Sequence, residues 1–173
     1  LVLTVAQVKG LHTALKNTAL QVFDRTMVAY LLFALYGRCR NSDLALIHSF
    51  ETDFSDEGGL VVIHTCNHKI GRLATLKTRL MPIIIPARGV DGEVWVKEAL
   101  TVFDAAGVKL SDQIDGPLAH APSSSVGGFM KRGLRSSEVS ATLRRFFNVA
   151  EPVPGDGMES PSSHSLKATA LSW

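Results

Sequence analysis

The sequence predicts an α+β domain, mainly helical, with a small antiparallel β-hairpin or sheet in its middle. Three observations lead there. Apolar residues recur at helical spacing near both ends of the chain. One stretch, Gln21 to Tyr36, is apolar nearly all round toward its end and so belongs at the centre. Between these helical regions lie two runs rich in β-branched residues, Leu60–Thr65 and Arg79–Ile85.

In chain order, Thr4 can cap a first helix through about Asn17, with Val5, Val8, Leu11 and Leu15 as its apolar stripe. The central helix follows. Its apolar run from Met27 to Tyr36 is about half of the roughly 20 residues a membrane helix needs, so it reads as core. Gly37 breaks it, Arg38-Cys39-Arg40 makes a short turn, and Asn41 or Ser42 can cap a short third helix through about Ile47. The acidic segment that follows, with Gly58-Gly59, reads as a loop. The two β-rich runs then form a hairpin with an irregular connection from Cys66 to Thr78, closed by Pro86. Gly92 to Ala106 is a helix stopped by Gly107, with Val94, Trp95, Leu100 and Phe103 as core residues. Lys109 to Gly128 is loop-like. Ser136 or Ser137 caps another helix to about Asn148, with Val139, Leu143 and Phe146 or Phe147 inward. A Pro/Gly linker, Glu151 to Ser160, leads to a last helix that Pro161 can start and Ser162 or Ser163 can cap. His164 and Lys167 then fall three residues apart on one face of it.

The length of 173 residues suits one domain, and 46% hydrophobic with 20% charged residues describes a globular chain. A start at Leu1 without Met suggests a piece of a longer protein. Cys39 and Cys66 have no metal-ligand spacing, which argues against a disulfide framework or a zinc finger and for an intracellular, reducing compartment. The net charge of +2 is unevenly spread. Asn41 to Gly59 holds five acids and no base, whereas Leu60 to Val90 holds five bases (Lys69, Arg72, Lys77, Arg79, Arg88) and no acid. Phe129 to Asn148 adds Lys131, Arg132, Arg135, Arg144 and Arg145 against Glu138. Such segregation fits a surface that faces a polyanion, the alternative being solvated faces.

Four groups stand at the edges of these elements: Arg40 after the central helix, Lys69 in the basic hairpin, and His164 with Lys167 on the last helix. A phosphodiester in transfer develops charge on its non-bridging oxygens and must protonate its leaving oxygen. Guanidinium, ammonium and imidazole groups can do both. No carboxylates cluster near these positions to hold Mg²⁺, so a metal-free site is the more economical expectation, and no motif among these residues calls for a cofactor.

Leu35-Tyr36-Gly37-Arg38-Cys39-Arg40-Asn41-Ser42-Asp43-Leu44 resembles the segment around the first arginine of the tyrosine recombinases, the phage integrase family. His164-Ser165-Leu166-Lys167 resembles that family's H-x-L-R box with lysine in the arginine place. The basic hairpin lies between them, as the family's hairpin with its active-site lysine does, and Ser136 to Arg145 resembles the helix before the His box. The similarity is closest to recombinase-like chains of eukaryotic mobile elements, with their H-S-x-K-A-T form of the box.

The resemblance implies a catalytic domain for DNA strand cleavage and rejoining, acting on double-stranded DNA with other protomers, and no membrane or small-molecule substrate. Arg40 would clamp a non-bridging oxygen. Lys69, or with less support Lys77, would protonate the leaving 5′ oxygen. His164 would donate to the phosphate or assist proton transfer, and Lys167 would replace the second arginine. Asp43 would orient Arg40 or cap the short helix. DNA contacts would come from Arg72, Lys77, Arg79, Lys131 and Arg132. Action on genomic DNA in a eukaryote would make the protein nuclear. Two departures stand out. Lysine is a point charge where the family has a planar fork. The family's nucleophilic tyrosine follows the His box, whereas the two tyrosines here, Tyr30 and Tyr36, precede Arg40, so these 173 residues would lack the nucleophile and the domain would be incomplete at its C-terminus. The alternatives are a non-catalytic DNA-binding module and an inert remnant of a mobile element.

Overall fold

A computed structural model describes residues 2–55, 58–65, 80–112, 115–123, 128–148 and 160–172. Within them the chain is a mixed α+β fold of five α-helices and two small antiparallel sheets. The helices are α1 (Val5–Lys16), α2 (Val22–Tyr36), α3 (Trp95–Ala105), α4 (Ser136–Phe146) and α5 (Ser163–Leu171).

Helix α2 is the axis of the molecule. Every residue from Thr26 to Leu35 is buried, and α1, α3, α4 and α5 all pack against it. A helix apolar on every side is stable only when neighbours cover every side, and here they do. Thr4 caps α1 as the sequence suggests, in a reciprocal pair with Gln7. The N-terminus is tied to the far end of the chain by a buried bond from Leu3 N–H to Thr169 Oγ1, 2.7 Å. At the bottom of α2, Trp95 lies edge-on to Phe33 at 4.9 Å and stacks on Tyr36 at 5.4 Å. The Tyr36 hydroxyl accepts from Val90 N–H (2.9 Å) and lies 2.8 Å from Nε2 of the buried His12.

The larger sheet has strands β1 (Ile47–Asp53), β2 (Leu60–Thr65) and β3 (Met81–Pro86) in that spatial order. The β2–β3 pair is the hairpin read from the sequence, in register from Leu60 opposite Pro86 to Thr65 opposite Met81. Ala87 N–H donates to Gly59 O, so the odd-numbered residues of β3 face β2. Pro82, Ile84 and Pro86 therefore face the edge that no described strand covers.

Strand β1 corrects the sequence expectation of a short helix through Ile47 followed by a loop. Residues 41–44 are turns, and Ile47 exchanges backbone bonds with Gly116 at 2.7 and 3.1 Å. Leu44 O accepts from Leu118 N–H, and the Asp43 and Leu46 carbonyls accept from the Thr65 hydroxyl. Carbonyls a helix would use are thus taken by tertiary partners. The acidic strand itself is held by its pairing with β2, with Ile47 and Phe50 buried and Glu51 and Asp53 outward.

Three further differences are smaller. Helix α3 begins at Trp95 rather than Gly92, because Val94 is held in a backbone bridge to Arg88. The stretch read as a loop from Lys109 contains a short strand β4 (His120–Pro122), paired with β5 (Phe129–Gly133). Helix α4 ends at Phe146. None of the described helices is long and apolar enough to cross a membrane.

Candidate functional site

The turn that leaves α2 builds the site. Cys39 N–H donates to Ala34 O (2.9 Å) and Arg38 N–H to Leu35 O (3.0 Å), the bond pair of a Schellman ending. That ending places one residue in the left-handed region, a position usually given to glycine. Here it is Arg38, at φ 53°, a conformation that costs an L-residue about 1–2 kcal/mol. Gly37 has an ordinary φ of −77°. Glycine is needed there for space, since a Cβ would sit 2.7 Å from Cys39 Sγ, 2.8 Å from Phe33 O and 3.0 Å from Ile83 Cγ2.

Beyond the turn, the backbone of Arg40 is fixed from several sides. Its N–H donates to Asp43 Oδ2 at 2.8 Å, so Asp43 holds the main chain of Arg40, whereas the sequence suggests that it orients Arg40 or caps a short helix, which is a turn here. Asn41 accepts from the buried Tyr30 hydroxyl and donates to Leu134 O at 2.9 Å. The Thr65 hydroxyl reaches the carbonyls of Asp43 and Leu46 at 2.7 and 3.0 Å. Read from the sequence, Asn41 has only a capping role and Thr65 has none. A polar residue that ends an apolar strand, and an amide after two arginines in a turn, are the signals that point to them.

These contacts shape a cleft of about 330 Å³ lined by Arg38, Arg40, Asp43, Thr65, Met81 and Lys167 among others. Arg40 and Lys167, far apart in sequence, thus meet at one surface. Helix α5 delivers Lys167 because Leu166, Thr169 and Ala170 are buried, and Ser163 N–H is docked on Ser140 Oγ at 3.0 Å. The floor includes Cys39, whose thiol burial pushes up to about 12, with Asp43 adding to the rise and Lys167 opposing it. Arg38, Arg40 and Lys167 have no ion-pair partner among the described residues.

His164, the second residue of α5, is exposed and is not among the residues lining the cleft. Lys69, Arg72, Lys77 and Arg79 lie outside the described residues. Thr65 and Met81, the paired strand residues that flank their segment, both line the cleft. Lys131 is exposed on β5. Arg132 is engaged internally, in a two-pronged pair with Glu138 at 2.8 and 2.6 Å. Arg145 with Asp24, and Arg25 with Glu98, are likewise paired at 2.5 Å, so part of the basic surface read from the sequence is neutralised within the fold.

No family model matches the chain, and no curated protein sequence matches it. The chemistry of the cleft is therefore judged from its own side chains. Two arginines and one lysine line the cleft together with one carboxylate, which is already bonded to a backbone N–H. Such a set of side chains can attract an anion, and oxygen anions with fixed geometry suit guanidinium best. Among the described residues no three His, Cys, Asp or Glu side chains converge as a metal site. Neither tyrosine is available to such an anion as a nucleophile. Tyr30 is fully buried with its hydroxyl held by Asn41, and burial raises its pKa. Tyr36 is held by Val90 and His12 and pushed up to about 12, again chiefly by burial.

Proposed function

We propose that this chain is the DNA-binding part of a tyrosine-recombinase-like catalytic domain, and that the cleft between the α2 turn, the β2–β3 strand ends and α5 receives a backbone phosphate of duplex DNA. The observation that carries the reading is the meeting of Arg40 and Lys167 in one cleft whose rim includes Thr65 and Met81, the strand ends from which the Lys69 segment departs. Arg40 binds the non-bridging oxygens with a planar fork, and Lys167 adds a point charge. Lys69 gives the proton to the leaving 5′ oxygen when a tyrosine oxygen attacks phosphorus and forms the 3′-phosphotyrosyl bond. Within these 173 residues neither tyrosine can make that attack, so the chain by itself binds and polarises the phosphate without cutting.

The test is binding of a fluorescent duplex followed by anisotropy over a range of salt. Wild-type protein gives an affinity that falls linearly with log salt. Arg40→Ala and Lys167→Met each flatten that slope by about 0.9, the loss of one phosphate contact. Absence of salt-dependent binding, or slopes unchanged in both variants, refutes the reading. A duplex with a 5′-bridging phosphorothiolate separates binding from chemistry, and no covalent adduct is expected from this chain alone.

A further inference from the structure

Arg38 is the one group in the cleft that neither Arg40's role nor Lys167's role explains. It occupies the left-handed position of the α2 ending at φ 53°, where glycine would be free of strain. Its side chain is exposed, lines the same cleft, and has no ion-pair partner among the described residues. An L-residue kept at a left-handed helix ending that glycine would fill without strain is a feature that clusters at binding sites. The charge count points the same way. Among the described residues lining the cleft, three cations and one carboxylate leave an excess of two positive charges, whereas a single phosphodiester carries one negative charge.

We infer that Arg38 contacts a second backbone phosphate, the neighbour on the same strand of the phosphate held by Arg40 and Lys167, so that the cleft spans two consecutive phosphates. This rests on the DNA-binding reading above. Arg38 and Arg40 are separated by a single residue, Cys39, which is buried while both arginines are exposed and line the same cleft.

The geometry makes an unusual test available, because the variant that removes the charge also relieves the strain. Arg38→Gly is expected to raise Tm by about 2–4 °C. In the anisotropy titration it flattens the salt slope by about 0.9 and weakens binding about eightfold at 0.1 M salt. Arg38→Lys keeps the slope of the wild type. A wild type that binds with salt dependence while Arg38→Gly keeps its slope overturns the inference and leaves the DNA reading standing. A wild type without salt-dependent binding removes both. A fall in Tm for Arg38→Gly refutes the strain on which the argument depends.

Discussion

Gly37→Ala puts one methyl group where the α2 ending has no room for it. The new carbon would lie 2.7 Å from Cys39 Sγ, 2.8 Å from Phe33 O and 3.0 Å from Ile83 Cγ2. Two of these neighbours resist displacement: Phe33 O belongs to the helix backbone, and Cys39 is buried and held by its own N–H bond to Ala34 O. Overpacking of this kind costs about 1–3 kcal/mol. Alanine also restricts the unfolded chain, which returns about 0.4–1 kcal/mol. The net loss of about 1–2 kcal/mol corresponds to a Tm lower by about 2–8 °C for a chain of this size. Thermal melts followed by circular dichroism, with urea unfolding as a second measure, read it out. A Tm equal to or above that of the wild type refutes the packing argument. Neighbouring positions give the experiment its edge, since the same melts should move up for Arg38→Gly and down for Gly37→Ala.

Two other consequences concern titration and reactivity. The Glu138 carboxyl is held down to about 2, chiefly by its hydrogen bonds from Arg132. Its contribution to stability is complete above the ordinary value of 4.5 and is lost as pH falls from there toward about 2. Glu138→Gln should remove that part of the acid sensitivity, so its Tm should fall less than the wild type's between pH 5 and pH 3; equal falls would refute the assignment. The Cys39 thiol, buried and pushed up to about 12, should resist iodoacetamide in the native protein at pH 8 and react in 6 M guanidinium. Peptide mapping by mass spectrometry reports it, and native alkylation of Cys39 would contradict the burial.

Local chemistry made much of the fold legible. Thr4 marked the start of α1, and the apolar run from Met27 to Tyr36 marked α2 as the centre. The β2–β3 pair was visible because β-branched residues fill both strands. Strand β1 was hidden, because Glu51 and Asp53 have little strand preference and take that conformation only through β2. The same holds for the site. Arg40 and Lys167 could be named from sequence, but their meeting depends on how α5 docks against α2 and α4. The engagement of Arg132 by Glu138, six residues away across a strand-to-helix corner, is likewise a product of tertiary geometry.

The prolines of β3 bear on how copies of this chain can meet. Met81–Pro86 is an uncharged edge strand with three consecutive isoleucines, one of them 64% exposed, the kind of segment that recruits other strands and seeds fibrils. Along its open side only Ile84 has an N–H to offer, because Pro82 and Pro86 have none. A third chain segment laid along this edge would find one donor where it needs three. Copies of the chain that meet at high concentration are thereby steered away from sheet-to-sheet fusion, and Pro82→Val with Pro86→Val would remove that protection without touching the cleft's charges.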